Sequence, residues 1–339
     1  MNKTKIDWCD ATWNPVTGCL HGCTYCYAAA IAHRFGNDHR LYECRTEEYR
    51  RSGRIYILDK PMKNYEGKDV VYPFEFAPTY HRYRLNELES KFKNGTNIFV
   101  CSMADLFGEW VPDKVISEIF EACINTPRHN YLFLTKNPKR YEDLMRIGKL
   151  PKRDNFWYGT TVTAQENKFF VNGEYNTFVS IEPIQGAFPR AYEVETDEKH
   201  IWGLKRTNWI IIGAETGTYR KKVIPKSEWI TNIVMDAMTY GLPVFLKDSV
   251  EEIVGKGKML REMPERLRVH EMSETNKKRF RGRCKMCGKE SELKEMIAVL
   301  KRNKRGESAK QWFYLCDDCF MLTDKLVSDG DIEIRRRNE

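Results

Sequence analysis

Residues 209–217 read Trp-Ile-Ile-Ile-Gly-Ala-Glu-Thr-Gly, an unbroken apolar run that stops on glycine and passes at once to a carboxylate. A strand with one face in water alternates apolar and polar side chains, whereas a strand covered on both faces does not. Residues 209–213 are therefore predicted as a strand of a sheet buried on both sides. The same pattern recurs at 96–101 (Thr-Asn-Ile-Phe-Val-Cys), 131–135 (Tyr-Leu-Phe-Leu-Thr) and 156–162 (Phe-Trp-Tyr-Gly-Thr-Thr-Val). It appears again at 177–181 (Thr-Phe-Val-Ser-Ile) and 243–246 (Pro-Val-Phe-Leu). Two further strand signals, at 11–16 and 74–80, are interrupted by proline.

Helical patterns lie between these runs. Pro112 and Asp113 open a stretch in which Val115, Ile116, Ile119, Phe120 and Cys123 recur at helical spacing. Residues 138–147 form another. Ser227 is placed to cap a third, carrying Trp229, Ile230, Ile233, Val234 and Ala237 and stopped by Gly241-Leu242-Pro243. Buried strands alternating with helices predict the α/β class and a parallel (β/α) barrel of six to eight strands, partial or complete. Two polar stretches, 41–72 and 185–206, read as insertions over one face. The rhythm stops after about Val254, and Gly255-Lys256-Gly257-Lys258 reads as a boundary between a barrel over 1–255 and a module over 256–339.

The chain has 339 residues with 31% charged and 41% hydrophobic side chains, which excludes disordered and fibrous classes. No apolar run approaches the roughly 18 residues needed to cross a bilayer. The opening Met-Asn-Lys-Thr-Lys lacks an apolar h-region, so the expectation is a cytoplasmic protein without a secretory signal. Of the formal net charge of +8, residues 256–339 contribute +7, with 22 Lys+Arg against 15 Asp+Glu. An excess confined to one quarter of the chain suggests an anionic partner for that quarter, against the alternative of a solubilising tail.

The ends of the expected strands are polar. They carry Ser102 and Asp105, Thr135 and Lys136, Thr161 and Thr163, Glu182, Glu215, and Lys247 and Asp248. In parallel α/β folds the ligand site sits where the carboxyl ends of the strands converge, so this succession predicts a lined pocket.

Eleven cysteines are too few for a disulfide scaffold, and their clustering points to metal chemistry. Cys19, Cys23 and Cys26 stand in a C-x3-C-x2-C run with Gly18 and Gly22. Three thiolates on one tight loop suit an iron–sulfur cluster and leave one iron open. The alternatives are a zinc site completed by Cys9, His21 or Cys44, or a fully ligated electron-transfer cluster. Cys284, Cys287, Cys316 and Cys319 form two C-x2-C pairs, the pattern of a structural zinc ribbon, with an auxiliary iron–sulfur cluster as its rival. Basic runs at 277–283, 301–305 and 335–337, with Phe280, Trp312, Phe313 and Tyr314, suit phosphate contact and base stacking on DNA or RNA. The alternative is a solvated linker and hairpin tip. Cys101 and Cys123 read as core residues, and Cys9 and Cys44 have no evident role.

The C-x3-C-x2-C spacing with an aromatic before the last cysteine resembles the radical S-adenosylmethionine superfamily. Residues 6–250 further resemble a phage-associated radical S-adenosylmethionine-like family whose members have largely lacked an assigned function. The resemblance rests on 6–8 and 11–19, on Ser102-Met103-Ala104-Asp105-Leu106-Phe107, and on Leu134-Thr135-Lys136 with Pro138. It rests also on Ser180-Ile181-Glu182-Pro183 and Gly213-Ala214-Glu215-Thr216-Gly217. Many members of that family have a longer gap between the first two cysteines; here the gap is that of the wider superfamily.

The resemblance implies a 4Fe-4S cluster on Cys19, Cys23 and Cys26, S-adenosylmethionine as cosubstrate, and an electron donor such as flavodoxin or ferredoxin. It implies Tyr25 near the adenine, Ser102 and Asp105 at the methionine amino group, Lys136 at its carboxylate, and Glu182 and Glu215 at ribose or substrate. Salt bridging of Lys136 or Lys247 with Glu182 or Glu215 is the alternative role. The function expected is radical modification or repair of a nucleotide. A radical modification of a protein or small molecule, or a non-catalytic zinc- and nucleic-acid-binding protein of phage type, is the rival reading.

Overall fold

The computed structural model describes residues 2–36, 50–89, 92–188, 206–216 and 223–268. Beyond these it describes the backbone of 281–283, 290–292, 295–302, 308–315 and 332–335. Seven strands run parallel and lie side by side in chain order. They are β1 (Ala11–Trp13), β2 (Asn97–Val100), β3 (Asn130–Thr135), β4 (Phe156–Val162), β5 (Asn176–Ile181), β6 (Trp209–Ile212) and β7 (Val244–Leu246). Asn2–Lys3 adds an antiparallel edge to β1. The first and last parallel strands do not pair with each other, so the expected barrel is a partial one.

Helix α1 (Tyr27–Gly36) follows β1, and α2 (Asp113–Asn125) and α3 (Pro138–Arg146) precede β3 and β4. Helix α4 (Ser227–Thr239) precedes β7. Ser227 is the first residue of α4 rather than its cap, a place taken by Lys226 without a side-chain bond. On the convex face, Val100, Phe133 and Tyr158 pack with Ile119, Phe120 and Cys123 of α2 and Tyr141 of α3. Ile210, Ile212 and Val244 pack with Ile230 and Ile233 of α4. Cys101 and Cys123 are buried, as core residues should be.

The concave face is filled from below by large side chains: Phe99, Leu132, Trp157, Phe178, Trp209 and Phe245. Gly159 makes this filling possible. A Cβ there would lie 2.2 Å from the Phe178 ring, so only glycine admits the neighbouring aromatic. Trp8 and Cys9 join the same cluster from the N-terminal segment, and Met263 and Leu267 join it from the chain beyond β7. Space inside the half-barrel therefore remains only toward the carboxyl ends of the strands.

The expected strand over 11–16 is two strands. Pro15 interrupts it, and Val16–Thr17 leaves the barrel to join a second sheet with Thr79–His81, Ile55–Leu58 and Arg50–Ser52. Only Thr79–His81 is strand at the second proline-broken site; residues 74–76 form a turn and 77–78 lead into the strand. Part of the expected insertion at 41–72 thus supplies two strands of this small sheet. Cys44, Cys284, Cys287, Cys316 and Cys319 lie outside the described residues.

Candidate functional site at the carboxyl ends of the strands

The loop after β1 is pinned at its entry. Gly18 has φ of +81°, its N–H donates to the Met103 carbonyl at 2.9 Å, and a Cβ would strike the Ala77 carbonyl oxygen at 2.2 Å. Glycine alone satisfies both the dihedral and the contact. Cys19 N–H then donates to the Phe76 carbonyl at 3.1 Å, and Cys26 N–H to the Cys23 carbonyl at 3.2 Å. The loop delivers Cys19, Cys23 and Cys26 to the wall of one cavity of about 720 Å³. That size is ordinary for a small-molecule site.

The residues proposed for cofactor contact, Tyr25, Ser102, Asp105, Lys136, Glu182 and Glu215, line this cavity with the three cysteines. Of the other polar strand-end residues, Thr135, Thr161, Lys247 and Asp248 also line it and Thr163 does not. Their partners differ. Asp105, 5% exposed, is fully engaged. Oδ1 accepts from Thr135 Oγ1 at 2.7 Å and Phe107 N–H at 3.0 Å; Oδ2 accepts from His21 Nε2 at 2.7 Å and Lys136 N–H at 2.9 Å. It thereby ties the cysteine loop to the ends of β2 and β3. Asn14 does related work, its Oδ1 accepting from Ser102 Oγ at 3.1 Å and Met103 N–H at 3.0 Å.

Lys136 reaches across to Tyr25, donating to its hydroxyl and lying 4.4 Å from the ring centre. Burial disfavours its charge, but the bond to Tyr25 and the neighbouring Cys23 outweigh this and hold the ammonium above its ordinary pKa. On the opposite wall Lys247 pairs with Glu182, the salt-bridging role weighed for these residues. Gln185 donates to Glu215 Oε1 at 3.1 Å. Burial pushes the Cys19 thiol up to about 12, so the free side chain is protonated at neutral pH.

Three thiols opening into one cavity from one loop are the donor chemistry of an iron–sulfur cluster. Of the other donors considered, His21 lines the same cavity but is held by Asp105, and Cys9 is buried in the floor. Among the described residues, no three His, Cys, Asp or Glu side chains form a group able to hold one metal ion. His21, considered only as a zinc ligand, lines the cavity too, and so do Asn14, Asp7, Trp8 and Ser180, which were given no role although they lie in the stretches that carry the family resemblance.

No helix among the described residues is long and apolar enough to cross a membrane. No curated protein matches the chain. Among solved structures, a mutant of spore photoproduct lyase aligns over 96% of this chain and 74% of its own, with 10% identity and a TM-score of 0.34. Residues 3–284 match the family described as a protein of unknown function (DUF5131), and the chain belongs to that family.

Proposed function

We propose that the cavity is the active site of a radical S-adenosylmethionine enzyme acting on nucleic acid. The observation that carries the reading is the cysteine loop: three thiols, set by a glycine no other residue can replace, open into a cavity at the carboxyl ends of seven parallel strands. In this reading Cys19, Cys23 and Cys26 hold a 4Fe-4S cluster. When bound, that cluster supplies the electron that cleaves S-adenosylmethionine to a 5′-deoxyadenosyl radical. Lys136, fixed on Tyr25, presents an ammonium to the methionine carboxylate. Ser102, held by Asn14, offers its hydroxyl to the amino group. Asp105 acts as an anchor, because both of its oxygens already accept bonds that hold the loop. The aromatic floor excludes water from below.

The basic C-terminal module is the reason for choosing nucleic acid as substrate. Its four cysteines are read as a zinc ribbon from their spacing, and they lie outside the described residues. Arg281–Arg283 and Glu290–Glu292 pair antiparallel on either side of the first cysteine pair, and Ser308–Leu315 ends next to Cys316. A reductant of flavodoxin or ferredoxin type completes the reading.

Anaerobic purification tests it. The expected product is a brown protein containing iron and sulfide that forms 5′-deoxyadenosine from S-adenosylmethionine with a chemical reductant. Cys19→Ala is expected to lose the cluster and that activity. A colourless protein holding only zinc, or a Cys19→Ala variant with an unchanged cluster, would sink the reading.

A further inference from the structure

The two walls of the cavity differ in how their polar groups are satisfied. On the cysteine-loop side, His21, Thr135 and the Lys136 N–H all bond to Asp105, and Ser102 bonds to Asn14. On the side of β5 to β7, four buried polar atoms of cavity-lining residues have no hydrogen-bond partner among the described residues. They are Glu215 Oε2, Ser180 Oγ, Asp7 Oδ1 and Trp8 Nε1, and all four residues line the cavity. Glu215 is only 7% exposed, and its other oxygen is already taken by Gln185. Asp7 Oδ2 is likewise taken, by Asp248 N–H at 3.0 Å and Arg261 Nη1 at 2.9 Å. Folded proteins rarely leave such atoms unpaired, and a buried carboxylate oxygen without a donor is a standing cost that a ligand can remove.

We propose that this wall is the substrate subsite and that it takes a nucleobase whose edge presents adjacent N–H donors beside an acceptor, guanine above the others. The inference rests on the nucleic-acid reading above and adds to it the kind of base. Its chemistry follows from counting. Two carboxylate oxygens ask for donors, one indole N–H asks for an acceptor, and the serine hydroxyl serves either way. Guanine offers N1–H and the N2 amino group as donors and O6 as acceptor. Uracil and thymine offer a single N–H between two carbonyls, which would leave a carboxylate oxygen unpaired against an acceptor. Cytosine and adenine each offer one amino group. Phe99, Leu134 and the Trp8 ring supply apolar surface to cover a base drawn out of its stack.

The test is equilibrium dialysis of the full-length chain, purified anaerobically, against guanosine, adenosine, cytidine and uridine. Guanosine is expected to bind saturably and at least about tenfold more tightly than uridine. Glu215→Gln, which keeps the shape and removes the charge, is expected to weaken guanosine binding by about ten- to a hundredfold. Ser180→Ala, a smaller change, serves as the second variant and should weaken it less. Absence of saturable nucleoside binding overturns the proposal. So does preference for uridine, or guanosine binding equal in both variants and the parent. Saturable binding of free arginine, dialysed in the same way, with none of guanosine would assign a guanidinium-bearing substrate and also overturn it. Dialysis needs no turnover, so its failure is separate from failure of the radical reading, which shows as a parent protein without cluster or 5′-deoxyadenosine.

Discussion

His81 shows how one side chain links the second sheet to pH. Its ring is fully buried, with Nε2 hydrogen-bonded to Thr17 Oγ1 at 2.9 Å and Nδ1 to the Tyr83 hydroxyl at 3.3 Å. Burial, and then the charge of Arg84, push its pKa well below the ordinary 6.5. Between the depressed folded value and the unfolded one, the unfolded chain binds the extra proton, so stability rises with pH across that window. The neutral imidazole therefore contributes fully above about pH 6.5, and its contribution falls by up to about 1.4 kcal/mol per pH unit below it. His81→Gln should lack that slope. Urea midpoints of parent and variant, measured from about pH 7.5 down to about pH 5, should converge as the pH falls; parallel curves would refute the assignment. At this scale the sequence was legible where chemistry and position coincided. Cys19, Asp105, Lys136 and Glu215 stood out because charged or sulfur-bearing residues followed buried strands, and all of them reach one cavity. Asn14 and Ser180 did not stand out. One reads as a turn residue before Pro15 and the other as a small residue in a strand, and only tertiary contacts give them a place in the wall.

Among the elements, the cysteine loop depends on a single backbone conformation. Gly18→Ala would place a Cβ on the Ala77 carbonyl oxygen and force a non-glycine residue to φ of +81°. The cost should be about 2 kcal/mol or more. Because the clash is at the loop's entry, the greater effect should fall, if the loop holds the proposed cluster, on cluster loading. Iron and sulfide per chain should drop severalfold in anaerobic preparations while the far-ultraviolet circular dichroism of the barrel persists. Full iron content in the variant would show that the loop tolerates another path. Strand positions were legible from continuous apolar runs, since β2 to β7 match the expected ranges to within about two residues at either end. The second sheet was legible only in part, through the proline-broken signals at 11–16 and 74–80. Arg50–Ser52 is exposed throughout, and Val16–Thr17 is only two residues long, so neither presents enough apolar surface to register as a strand. Val16–Thr17 pairs with Thr79–His81 because Pro15 turns the chain out of the barrel edge, and Arg50–Ser52 pairs with the following strand Ile55–Leu58.

For the molecule as a whole, the two ends of the half-barrel, β1 edged by Asn2–Lys3 and β7 bonded to residues 260–262, are joined to each other by side chains rather than by a strand ladder. Arg261, whose side chain is 8% exposed, bonds Asp7 from the N-terminal segment and Asp248 from the end of β7. Around it Leu246 N–H donates to the Leu260 carbonyl at 2.8 Å, and Trp209 Nε1 to the Glu262 carbonyl at 2.9 Å. Arg261→Ala leaves Asp7 charged, buried and without its cation, and should cost about 3–5 kcal/mol. The same contacts decide where the C-terminal module can be cut away. Removing everything after Gly255, the boundary suggested by composition, takes Arg261, Met263 and Leu267 from the floor of the barrel and the Leu267 carbonyl from Asn97 Nδ2. That truncation should unfold at a much lower temperature than the full chain, or aggregate. A cut after Arg268 keeps those contacts and should leave the melting temperature within a few degrees. Only the second truncation can ask whether the basic module carries nucleic-acid affinity. If it does, binding to single-stranded RNA or DNA should weaken and lose most of its salt dependence in the 1–268 chain. Affinity and salt slope equal to those of the full chain would move the nucleic-acid contacts onto the barrel and remove the charge argument for the substrate.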